Sequence, residues 1–91
     1  MTCKIDRHVF GEYVVALRIS GRVTGESVNM LRALLEQENG TLIIDLKEVR
    51  LVDGDAVKLL AMHELNGTQI KNCPLYIREW VTREREGSGL V

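Results

Sequence analysis

Carboxylates are the side chains here best suited to chemistry, and three of them, Asp45, Asp53 and Asp55, follow apolar runs that read as strands. Two or three carboxylates gathered at strand ends can hold Mg²⁺ for phosphoryl transfer. Such a site also needs a phosphate-binding lysine or a glycine loop. Lys58, one turn into the helix expected after Asp53-Gly54-Asp55, is the single candidate. The same carboxylates have a structural use. An Asp at a helix start accepts bonds from free N–H groups and favours the positive end of the dipole, each worth about 0.3–1 kcal/mol. The residues alone favour caps at Asp53 and Asp55 over a Mg²⁺-dependent carboxylate enzyme.

Other chemistry lacks partners. His8 and His63 stand alone, one on an expected edge strand and one in an expected helix. Cys3 and Cys73 are far apart, with no His or Cys at metal spacing. Two reduced thiols are expected, and a disulfide between them stays open. Gly21 and Gly25 lack the spacing of a dinucleotide loop, so no phosphate cradle and no cofactor are implied. Twelve basic and thirteen acidic residues give a net charge of −1, with no basic stripe of the kind that nucleic acid requires. No apolar run approaches the roughly 20 residues that span a bilayer, and Met1–Arg7 lacks a signal-peptide core. Direct membrane insertion is not expected, and the cytoplasm is the expected location.

The elements that position these residues follow from periodicity. Tyr13, Val15, Leu17 and Ile19 alternate on one face of a strand, and Ile5–Phe10 pairs with it as a hairpin through Gly11-Glu12. Gly21–Gly25 breaks the strand pattern. A helix follows over Glu26–Glu38, with Val28, Leu31, Leu34 and Leu35 on its apolar face, Thr24 as N-cap and Asn39-Gly40 as stop. Leu42-Ile43-Ile44, ending at Asp45-Leu46, reads as a strand covered on both faces. A second helix runs from about Asp55 to Leu65, stopped by Asn66-Gly67. Pro74 opens a last strand at Leu75–Arg78, and Tyr76 with Trp80 is expected to cover the open side of the sheet, the alternative being a contact patch. The tail from Trp80 holds a short helix, fraying at Gly87-Ser88-Gly89 into a disordered end from about residue 87. With 91 residues this makes one α/β domain over 1–91, a mixed sheet of about four strands with two main helices and a short C-terminal helix.

In this order the segments resemble the STAS domain of bacterial anti-sigma-factor antagonists. Leu17-Arg18-Ile19-Ser20-Gly21-Arg22-Val23 is similar to the family's strand-to-loop opening, and Leu42–Leu46 to its apolar strand ending in Asp-Leu. Leu51–Leu60 is similar to its turn of two hydrophobic residues and Asp-Ser-Ser-Gly leading into a leucine-rich helix. The resemblance covers roughly residues 4–80 and implies a non-enzymatic protein-interaction domain in signalling and regulation of transcription. Its docking surface would be Asp53, Gly54, Asp55, Ala56 and Lys58 with Gly21 and Thr24 beside them.

Four departures stand out. Asp55 occupies the position of the phosphorylatable Ser or Thr, and Gly54 that of a small hydroxyl residue. Thr24 stands where many members carry Asp, and Trp80–Glu86 is short for the family's last helix. Asp55 has no hydroxyl, so this site takes no phosphate. A phosphoserine there would carry a charge of about −1.5 to −2. Asp55 is thus a partial and permanent imitation of it. Either the domain is locked in a state like the phosphorylated one, or its partner is different and accepts an acidic helix start, and the second is preferred. The expected partner is an anti-sigma factor of the histidine-kinase-like ATPase kind. The alternatives are a subunit of a lipid-transport ABC complex served by a cytoplasmic STAS domain, the Mg²⁺-dependent enzyme, and nucleotide binding near Gly21–Gly25.

Overall fold

Strand β1 (Cys3–Phe10) pairs antiparallel with β2 (Val14–Val23) across a turn in which Gly11 takes φ 68°. This computed structural model describes residues 3–38 and 40–88. Helix α1 (Glu26–Glu36) leads to β3 (Thr41–Val52), α2 (Gly54–Leu65) to β4 (Gln69–Lys71), and α3 (Leu75–Ser88) closes the described chain. The sheet order is β1-β2-β3-β4, with β2, β3 and β4 mutually parallel. Both crossovers step the same way across the sheet, so right-handed connections bring α1 and α2 to one face.

That face holds the core. Leu17 and Ile19 of β2, Ile44 and Leu46 of β3, Leu31 of α1, Leu60 of α2 and Ile77 and Val81 of α3 are all buried. Each such side chain contributes about 1.5–3 kcal/mol relative to exposure. Cys3 and Cys73 are free thiols, and burial pushes both up from the ordinary thiol range. None of the described helices is long and apolar enough to cross a membrane.

Several expectations change. Strand β3 is not covered on both faces: Leu42, Ile44 and Leu46 are buried, while Ile43 and Asp45 are only half-buried on a face that no helix covers. It also runs twelve residues, so Asp45 lies within the strand and not at its end. Strand β2 continues through Gly21 to Val23, with register shifts against β3 beside Gly21. Gly21 takes φ 88° there, a bulge conformation that glycine adopts without a Cβ penalty. Tyr13 precedes β2 and is exposed.

The largest correction concerns the C-terminal third. Leu75–Arg78 is not a strand; the fourth strand is Gln69–Lys71, and a fourteen-residue helix starts at Leu75. The Pro74 carbonyl accepts from the Arg78 N–H at 2.9 Å, and a proline at a helix start gives up no needed donor. Ile77, Trp80, Val81 and Glu84 share the helix face that packs inward, so the alternation of Leu75 and Ile77 was accidental. Tyr76 and Trp80 therefore lie on the helix side of the sheet. Helix α3 is described through Ser88, longer than the short helix expected, while Gly89 and the Asn39 of the expected α1 stop lie outside the described residues.

Candidate docking site

Gly21 and Thr24 lie at the C-terminal end of β2, Asp53 just after β3, and Gly54, Asp55, Ala56 and Lys58 in the first turns of α2, with Ala56 buried and so not part of the surface. Asp53 follows β3 in extended conformation (φ −107°, ψ −179°) and is the N-cap of α2. Its Oδ1 accepts from the Ala56 N–H at 2.9 Å. Its Oδ2 accepts from the Gly25 N–H, also at 2.9 Å, across 28 residues of sequence. One carboxylate thus joins the β2–α1 loop to the β3–α2 loop. The bond from Gly25 is the larger cause, and that from Ala56 the next, of a carboxyl held below its usual range. The Asp53 N–H also reaches the Val23 carbonyl at 3.4 Å, tying the same two segments through main chain.

Thr24 is not the N-cap of α1. Gly25 takes that position with φ 57° and no side-chain cap, and the Thr24 carbonyl accepts from the Ser27 N–H at 3.0 Å. A left-handed φ excludes most side chains at Gly25, which moves the cap one residue past Thr24. Gly54, Asp55 and Lys58 are exposed, Gly21 and Thr24 half-exposed, and Ala56 is buried beneath the helix start. Asp55 makes no side-chain hydrogen bond or ion pair among the described residues. Asp53 is therefore the internal brace, and Asp55 and Lys58 are the groups turned to solvent.

Asp45 is not brought to this site. It lies seven residues upstream of Val52, roughly 20 Å along the strand. Its Oδ1 accepts from the Lys47 N–H at 2.9 Å and its Oδ2 from Asn72 Nδ2 at 3.2 Å. The described residues contain no group of three or more His, Cys, Asp or Glu able to hold a metal. The Gly21–Gly25 stretch is half strand and half tight turn, and its Gly25 N–H is taken by the Asp53 carboxylate.

One clamp escaped the sequence reading. Glu64, half-buried near the end of α2, accepts from Arg78 Nη1 at 2.7 Å and Nη2 at 2.6 Å, and from Arg85 Nη1 at 2.8 Å. The bonds from Arg78 chiefly, then Arg85, hold its carboxyl below the usual range. An Arg seven residues after another places both on one helix face. That spacing, Arg78 and Arg85, was visible once 75–88 is read as helix.

No family model matches the sequence, and no curated protein matches it. Solved structures do. The chain superposes on an antisigma-factor antagonist STAS domain from Rhodobacter sphaeroides with a TM-score of 0.63 and 16% identity, covering 78% of this chain and 87% of that one. It also superposes on the anti-sigma factor antagonist SpoIIAA in its unphosphorylated form, with a TM-score of 0.60 and 15% identity, covering 82% and 79%. The fold is STAS-like.

Proposed function

We propose that this domain works by docking a protein through the start of α2 and the β2–α1 loop, in the manner of an anti-sigma-factor antagonist whose switch residue is fixed as Asp55. The observation that carries this reading is the contrast between Asp53, whose two oxygens are spent on main-chain N–H groups, and Asp55 two residues on, exposed and unpaired among the described residues. A rigid brace beneath a free charge presents that charge at a defined place. The STAS-like fold of proteins named as anti-sigma factor antagonists supports the choice of partner class. The partner is an anti-sigma factor of the ATPase kind that tolerates an acidic helix start, in the cytoplasm of a bacterium. Recognition is electrostatic at its centre, so affinity falls as salt rises.

The experiment compares tagged wild type with Asp55→Lys in pull-downs from native lysate. A partner recovered by the first and lost from the second is expected. Equal recovery by both removes this surface from function. With the partner in hand, Asp55→Ser changes its Kd by about tenfold, the scale of one interfacial charge.

A further inference from the structure

The uncovered face of the sheet carries an ordered row of charges. Asp6 is registered against Arg18, Arg18 against Asp45, and Asp45 against Lys71, one residue from each of the four strands. Read across the sheet the signs run minus, plus, minus, plus. None of the four takes part in an ion pair among the described residues, although cross-strand neighbours of opposite sign often do. Asp45 accepts from the Lys47 N–H and from Asn72, and each carboxylate oxygen keeps a second lone pair. Next to this row lies another, His8, Ala16, Ile43 and Gln69, with no carboxylate, lysine or arginine. Ala16 and Ile43 floor a depression of about 270 Å³ walled by His8, Phe10, Arg18 and Lys71. Phe10 is 59% exposed.

An alternating row of four has a property that an ordinary charged surface lacks: reversed, it becomes its own complement. A two-fold axis along the strands, passing between β2 and β3, lays a second copy face to face and reverses each row. Asp6 then meets Lys71 of the second copy, and Arg18 meets Asp45 of the second copy, each twice by symmetry. The same operation sets Ala16 against Ile43 of the second copy and His8 against its Gln69. Isologous contacts of this kind are the commonest in homo-oligomers, and two sheets pack face to face at about 10 Å with their strands within about 30°. We infer that the open face is a homodimer interface, with a second copy of this chain as its occupant. Its footprint, roughly 400–500 Å² per copy from strand rise and spacing, falls below the usual 800 Å² or so, so the dimer is a weak one. The α2 start lies at the strand ends, outside this face, so both docking surfaces stay open in the dimer.

The test is sedimentation equilibrium up to about 1 mM protein. Wild type is expected to dimerise. Arg18→Asp alone gives three acids beside one lysine, and Asp45→Arg alone gives three bases beside one aspartate; each meets its own kind with two repulsive contacts. Both single variants are expected to weaken self-association at least tenfold, whereas an equimolar mixture of the two restores it as a heterodimer with all four contacts attractive. The double variant Arg18→Asp/Asp45→Arg dimerises again. A concentration series of amide spectra on wild type, needing no substitution, shifts Ala16 and Ile43 and leaves Asp55 unmoved. Monomeric wild type overturns the inference, as do single variants that still dimerise or a mixture that stays monomeric.

Discussion

The two ends of α2 each rest on a single carboxylate, used in opposite ways. At the start, Asp53 accepts from two uncharged main-chain N–H groups on separate segments. At the far end, half-buried Glu64 accepts from two guanidinium groups of α3 and draws that helix onto α2. The Glu64 charge is neutralised within the fold. The Asp53 charge is not, and exposed Asp55 adds to it. One end of the helix is closed by its chemistry, and the other presents the exposed Asp55, with exposed Lys58 three residues on, to solvent.

Breaking the closed end has the largest expected effect. Glu64→Ala leaves two guanidinium groups without their acceptor and lowers unfolding free energy by about 2–3 kcal/mol, read as a fall in Tm of about 10 °C or more. Asp53→Ala removes the cap of α2 and the tie to Gly25 together and costs about 1–2 kcal/mol in urea unfolding. Asp53→Asn retains one carbonyl acceptor, so one of the two N–H groups stays bonded and the loss is about half as large. If Asp53→Ala proves costlier than Glu64→Ala, the ranking of the two ends is reversed.

Acid tests both ends at once. Both carboxyls are held below their usual range in the fold, so the stability they add is fully present above the unfolded-state values. It is lost as pH falls through the lowered folded values, below about pH 4. Urea unfolding at a series of pH values should show a shallower acid loss in Glu64→Gln and in Asp53→Asn than in wild type. The smallest effect sharpens the contrast. Asp55→Ser is expected to change stability by no more than about 0.5 kcal/mol, since it gives up only a favourable dipole position. A larger change would mean that Asp55 serves the fold.

Much of the architecture was legible because it depends on local pattern. The β1–β2 hairpin, both α1 and α2, and the Asn66-Gly67 stop follow from periodicity and turn residues. The stop is a Schellman turn, with the Thr68 N–H on the His63 carbonyl at 2.9 Å and the Gly67 N–H on Glu64 at 3.1 Å. The cap at Asp53 was legible too. Its second bond was not, because the donor at Gly25 is main chain and 28 residues away. Strand β4 escaped because only three residues pair, and only Ile70 among them is apolar. Leu75 and Ile77 around Pro74 mimicked a strand, although Ile77, Trp80, Val81 and Glu84 already carried the helical spacing. Charged Lys47, Glu48 and Arg50 hid the second half of β3, whose outer face meets water.

The Asp53 tie grips amides and not side chains, which separates scaffold from specificity. The donors at Gly25 and Ala56 persist through almost any change of neighbouring side chain, so Arg22, Thr24, Gly54 and Asp55 form a rewritable tip around the buried Val23, held by one unvarying residue. A library randomised there, with Asp53 and the left-handed Gly25 retained, would sample new binding preferences on an unchanged frame.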